Sequence, residues 1–125
     1  MSKSNKEIVF EVLKRAFIDH DPTVVEQCFD ASYKQHNPQI PDGPSAIAKM
    51  IPTLTALRYE PGMAVAEGDL VMVHGRYTGW GPKPMVAVDI FRVRDGKVVE
   101  HWDVLQEEVP AAHTASGRGM FTKPE

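Results

Sequence analysis

Cysteine is nearly missing from this chain. Cys28 stands alone, so no intrachain disulfide and no multi-cysteine zinc site can form. Its apolar, helix-like surroundings predict a buried, inert thiol. Basic blocks are missing too. The net charge is −3, with 14 Lys and Arg against 17 Asp and Glu. No Arg-rich stripe offers phosphates a surface, which argues against a nucleic-acid partner. No stretch reaches the roughly 20 apolar residues of a membrane span, so no membrane association is expected. The polar start Met1-Ser2-Lys3-Ser4-Asn5-Lys6 contains no apolar leader core, which predicts a cytoplasmic location. A G-x-S-x-G elbow, a Ser-His-Asp spacing and a Gly-rich phosphate loop are absent as well, which disfavours acyl and phosphoryl transfer.

What is present suits one soluble domain. The chain has 125 residues, 42% hydrophobic and 25% charged, enough for a single core. We read 1–125 as one domain and 109–125 as an irregular tail. Ser4-Asn5-Lys6-Glu7 has the form of a capping box. Ile8, Val9, Val12, Leu13, Ala16 and Phe17 then recur at helical spacing, predicting a helix to about His20. Asp21-Pro22 restarts a helix, whose apolar side is Val24, Val25, Cys28 and Phe29. The polar, aromatic run Tyr33-Lys34-Gln35-His36-Asn37-Pro38 ends this part. Ser45 to Leu57 is helical in pattern with a kink or restart at Pro52. From Arg58 the period changes, and four strands follow: Tyr59 to Glu67, Leu70 to Thr78, and the hairpin Val86 to Gln106. Gly79-Trp80-Gly81-Pro82-Lys83-Pro84 is a loop with the composition of a mobile rim. Helices first and antiparallel strands after predict an α+β domain, its helices laid over one face of a curved sheet.

The last hairpin carries the chemistry. With Arg94-Asp95-Gly96 as a three-residue turn and G1 bulge, Phe91 faces Val99, Asp89 faces His101, and Ala87 faces Asp103. Asp89, Phe91, His101 and Asp103 then share one face, and Val88, Ile90, Trp102 and Val104 share the other. His74 is placed on the cavity side by alternation. Two carboxylates and one or two histidines in an apolar pocket can hold their proton affinities apart, one giving while another takes. That pattern favours proton transfer at carbon or at a leaving hydroxyl. The candidate catalytic residues are Asp103, His36, His101 and Asp89. Tyr33, Asn37, His74 and Phe91 are the candidate substrate contacts. No compact ligand spacing supports a metal, and none is expected.

Two segments are similar to a known family. They are Tyr33-Lys34-Gln35-His36-Asn37-Pro38 with Pro41-Asp42-Gly43, and Val88 to Gln106 through Gly96 and His101-Trp102-Asp103. Both resemble the SnoaL-like polyketide cyclases, nearest the subgroup described as predicted aldol-condensation catalysts, and Gly119-Met120-Phe121 is similar to that subgroup too. The resemblance implies the cone-shaped fold of nuclear transport factor and ketosteroid isomerase: a strongly curved antiparallel sheet wrapped around N-terminal helices, with a deep apolar pocket, usually in a dimer. It implies a cofactor-free intramolecular aldol closure driven by an aspartate on the last strand, a position matched by Asp103. Asp89 stands where those cyclases have a histidine, a departure that bears on substrate.

The expectation is therefore an acid–base enzyme acting without cofactor on a small, carbonyl-bearing, apolar molecule, by aldol-type cyclisation or isomerisation. Asp103 would abstract a proton. His36, His101 or Asn37 would hydrogen-bond the enolate, and Asp89 would orient His101. The alternatives are hydration or dehydration, with Asp89, Asp103 and Arg76 placing a water, and a small-molecule binding module without chemistry. A homodimer through the outer sheet face is expected.

Overall fold

In the computed structural model, residues 3–123 are described. The first helix, α1 (Asn5–Leu13), starts at the capping box read from sequence: Ser4 Oγ accepts from the Glu7 amide, and Glu7 Oε1 accepts from the Ser4 amide. It continues as a widened turn over Lys14–Ile18. Its apolar stripe, Ile8, Val9, Val12, Leu13 and Ala16, is buried, as a helix with one face on a core requires. Asp21 Oδ1 accepts from the Thr23 amide at 3.0 Å in the turn that leads into α2 (Thr23–Cys28), whose N-cap position is Pro22 and not Asp21 as the sequence suggested. The helix α3 (Pro44–Met50) passes into one 3₁₀ turn, Ile51–Thr53, at Pro52. Cys28 is buried. No helix among the described residues is long and apolar enough to cross a membrane.

The sheet has five strands, one more than the sequence suggested. They are β1 (Phe29–Gln35), β2 (Arg58–Glu67), β3 (Leu70–Thr78), β4 (Met85–Arg94) and β5 (Lys97–Glu107), in the order β1-β5-β4-β3-β2. The extra strand, β1, runs parallel to β5 along one edge, and its pairing is broken between Phe29 and Lys34. The other pairs are antiparallel. The helices cover the concave face. Val71, Val73, Val93 and Val98 of the sheet and Val9, Val12, Leu13 and Val24 of the helices fill the core between them.

The hairpin between β4 and β5 differs from the expected register. Its turn has two residues, Asp95 and Gly96, between the pair Arg94 and Lys97. Both residues have positive φ, 51° and 76°, as a type I′ turn demands. One step further, Val93 faces Val98 while Arg92 faces Glu100, so Val99 is the extra residue of a bulge. Val98, not Val99, therefore enters the core. Beyond the bulge Phe91 faces His101 and Asp89 faces Asp103. The turn shifts the register by one and the bulge shifts it by one more, so these four residues still share the concave face.

Candidate active site

Three ionisable groups of β4 and β5 meet on that face. Asp89 and His101 are 3% and 7% exposed, and their contact is direct: His101 Nε2 lies 2.8 Å from Asp89 Oδ1. Asp103 Oδ2 lies 3.9 Å from the same nitrogen. Each group has further partners. Tyr77 Oη donates to Asp89 Oδ2 at 2.7 Å. Asn37 Nδ2 donates to Asp103 Oδ2 at 2.7 Å. Gln35 Oε1 is 2.7 Å from His101 Nδ1. The walls are apolar, with Val12, Phe17, Phe29, Tyr33, Ile47 and Phe91 among them.

The enclosed cavity is small, about 40 Å³, space for roughly three waters. Outside it lies a wider hollow of about 530 Å³ bordered by Asn37, Pro38, Met85 and Glu107. Asp103, Trp80 and Leu105 border both spaces. Asp103 is thus the ionisable residue at the threshold, with a buried cluster behind it and open space ahead. Trp80, on the loop between β3 and β4, stands at the same threshold against Tyr77.

Burial pushes the Asp103 carboxyl above its ordinary value, and the negative charge of Asp89 adds to this. The Asn37 hydrogen bond and the charge of His101 oppose the rise. The hydroxyls of Tyr33 and Tyr77 are pushed above the usual tyrosine range, mainly by burial and further by the two carboxylates.

Of the residues expected at the site, Asp89, His101, Asp103, Tyr33 and Phe91 line the cavity, and Asn37 reaches it through Asp103. His36 does not. Alternation along the chain turns Gln35 inward and His36 outward. The imidazole lies flat on Trp102, centroids 5.0 Å apart, and meets Glu100 Oε2 at 2.7 Å on the outer side of the sheet. His74 is also a correction. It pairs with Val88, two residues of the outer face, and packs near Phe121 of the tail. The inward parity of β3 belongs to Val71, Val73 and Tyr77, all buried. Arg76 shares His74's side and pairs with Glu108. Sequence reasoning missed Gln35, Tyr77 and Trp80. The aliphatic alternation Val71, Val73 would have pointed to Tyr77, while nothing local marks Gln35.

Asp89, His101 and Asp103 also have ligand-type atoms within 4.8 Å of one another, a donor set a divalent cation accepts. In the present arrangement His101 Nε2 is engaged with Asp89.

Comparison with known proteins gives a consistent picture. The family model for a SnoaL-like domain matches residues 10–101. No curated protein matches the chain in sequence. An NTF2-like protein of unknown function from Cytophaga hutchinsonii superposes with a TM-score of 0.72 at 12% identity, covering 85% of this chain and 93% of that one. IdmH from Streptomyces antibioticus, described as a candidate polyketide cyclase, gives 0.64 at 18% identity, covering 83% and 93%. AclR from Streptomyces galilaeus, described as a candidate hydroxylase, gives 0.65 at 20% identity, covering 82% and 79%. At such identities these likenesses speak for the fold.

Proposed function

Since the chain belongs to the SnoaL-like domain family, a scaffold on which several chemistries live, we propose from the site itself that it is a general acid–base enzyme. Its substrate is a small, carbonyl-bearing, largely apolar molecule, and its reaction is an aldol-type cyclisation or an isomerisation. Both need only proton transfers, so no cofactor enters. The observation that carries this reading is the placement of Asp103 at the threshold, partly desolvated and so made more basic. A carboxylate there removes a proton α to a carbonyl. Asn37 keeps it oriented, and the His101–Asp89 pair behind it carries the proton that the enolate oxygen would receive. IdmH, described as a candidate polyketide cyclase, is in keeping with this chemistry.

The test follows α-hydrogen exchange into deuterated water over a panel of apolar ketones and β-dicarbonyl compounds. Asp103→Asn keeps the shape and removes the base. We expect exchange to fall by about 100-fold or more, with a melting temperature at neutral pH no lower than that of wild type. Activity retained within a few-fold overturns the assignment.

The cavity behind Asp103, sized for water and flanked by two carboxylates, favours one second reading: hydration or dehydration of the same class of molecule. Solvent oxygen-18 appearing in product selects it over aldol chemistry.

A further inference from the structure

In the segment Gln35–Gln39 the side-chain amides of Gln35 and Asn37 are each oriented by a backbone N–H that can only donate. The Asn37 amide donates to Gln35 Oε1 at 3.0 Å. The Gln39 amide donates to Asn37 Oδ1 at 2.8 Å. Neither side chain can flip without setting donor against donor. Gln35 therefore presents an oxygen to His101, and Asn37 presents an N–H to Asp103. The far end of Gln35 is tied as well, its Nε2 donating to Tyr33 Oη at 2.7 Å.

We propose that Gln35 is a positioning residue that fixes the hydrogen of His101 on Nδ1 and thereby leaves the charge of the cluster on Asp103. The argument is one of donors and acceptors. Gln35 Oε1 accepts from Asn37 and lies 2.7 Å from His101 Nδ1. An oxygen in that place requires Nδ1 to carry a hydrogen. The other ring nitrogen, Nε2, faces Asp89 Oδ1 at 2.8 Å, and Tyr77 donates to the opposite carboxylate oxygen. A hydrogen bond between Nε2 and Oδ1 needs one proton between them, on either partner. In both placements the Asp89–His101 pair is neutral overall. The cluster's one negative charge is then that of Asp103, which accepts from Asn37. The ring's second nitrogen is the one aimed at Asp103, so the shared proton sits on the side where the proposed chemistry occurs. The end of β1 and the residues just after it thus set the protonation pattern of two other strands.

The catalytic use of this arrangement rests on the role proposed for Asp103; the tautomer itself does not, so the two fail separately. The experiment is nitrogen-15 NMR of the His101 ring in the full chain at pH 8, where a free imidazole is neutral. The wild type is expected to show Nδ1 protonated. In Gln35→Met, similar in length but without an acceptor, the Nδ1 hydrogen is expected to be lost and the ring to become the Nε2–H form. In Gln35→Glu, whose carboxylate accepts in the same place, protonated Nδ1 returns. An unprotonated Nδ1 in the wild type overturns the proposal, and so does a Gln35→Met spectrum with Nδ1 still protonated. The wild-type measurement stands alone if either variant folds poorly. The Asp103→Asn exchange assay reports on the base and leaves this result untouched.

Discussion

Tyr59 and Tyr77 lie side by side on neighbouring strands with ring centroids 4.5 Å apart, and both are 5% exposed. Their hydroxyls differ in kind. That of Tyr77 donates to Asp89 Oδ2 at 2.7 Å. That of Tyr59 is buried with no hydrogen-bond partner among the described residues. Deleting each oxygen should therefore act in opposite directions. Tyr77→Phe strips a buried carboxylate of a donor, at a cost of about 1.5–3 kcal/mol for a hydrogen bond to a charged group. Tyr59→Phe removes a hydroxyl whose burial without a partner costs roughly 1–3 kcal/mol on protein scales; its loss should leave stability unchanged or raise it. The two variants, alike in composition and size, are expected to differ by at least about 1.5 kcal/mol. Urea unfolding checks this through the midpoint, with the slope unchanged as the sign that the unfolded state is comparable. Equal destabilisation of both variants refutes the reasoning, because it means that the Tyr59 hydroxyl is as well satisfied as its neighbour's.

The raised Asp103 carboxyl gives a pH dependence of definite sign. A base must be ionised, so the acid limb of kcat/KM should lie above the ordinary aspartate value of 3.8, and Asn37→Ala, which removes an opposing hydrogen bond, should move it further up; a downward move contradicts the assignment. The folded state holds that proton more tightly than the unfolded chain. Asp103's favourable contribution is thus full below the ordinary aspartate value and lost as pH rises through the raised one, so Asp103→Asn should gain stability over wild type above that window in urea titrations. At Gly75 an added Cβ would meet the Tyr59 ring at 2.5 Å; Gly75→Ala should cost about 1–3 kcal/mol through overpacking, read from the same unfolding curves, and a neutral result would show that the ring moves freely. On the outer sheet face Val65, Met72 and Val104 are 64%, 39% and 67% exposed beside Ile90 and Trp102. That patch predicts a homodimer, which Met72→Lys with Val104→Lys should convert to monomer; sedimentation of the wild type as a monomer at micromolar concentration counts against it.

The legible parts of the fold were those whose signal is local. Ser4 and Glu7 announce a helix start because the cap needs only those two side chains. Leu70 to Thr78 was readable as a strand because Val71 and Val73 alternate with polar or exposed neighbours. By contrast, β1 reads as polar, aromatic chain before a proline. It is an edge strand with one partner and a broken ladder, so its extended shape comes from β5, over sixty residues away in sequence, and not from its own pattern. His36 was misplaced for the same reason: without the strand there is no alternation to show that Gln35 points in and His36 out.

The site tests how far residue identity can be trusted without register. Asp89, His101 and Asp103 were marked by being ionisable where aliphatic residues belong, and that signal is independent of the turn. Their pairing was not. A sheet face is reached by counting from the turn, and one residue more or less exchanges the two faces. Here a two-residue turn and the bulge at Val99 compensate, so the face assignment of Asp89, Phe91, His101 and Asp103 holds although the expected partners were wrong. The compensation has a chemical consequence. With Asp89 opposite Asp103, the imidazole of His101 reaches Asp89 diagonally, and its Nε2 comes within 3.9 Å of Asp103 as well. In the expected register His101 would face Asp89 squarely and Asp103 would face Ala87. The two-residue turn and the extra residue in β5 together thus turn an isolated pair into a three-membered cluster, with the His101 ring beside the carboxylate proposed as the base.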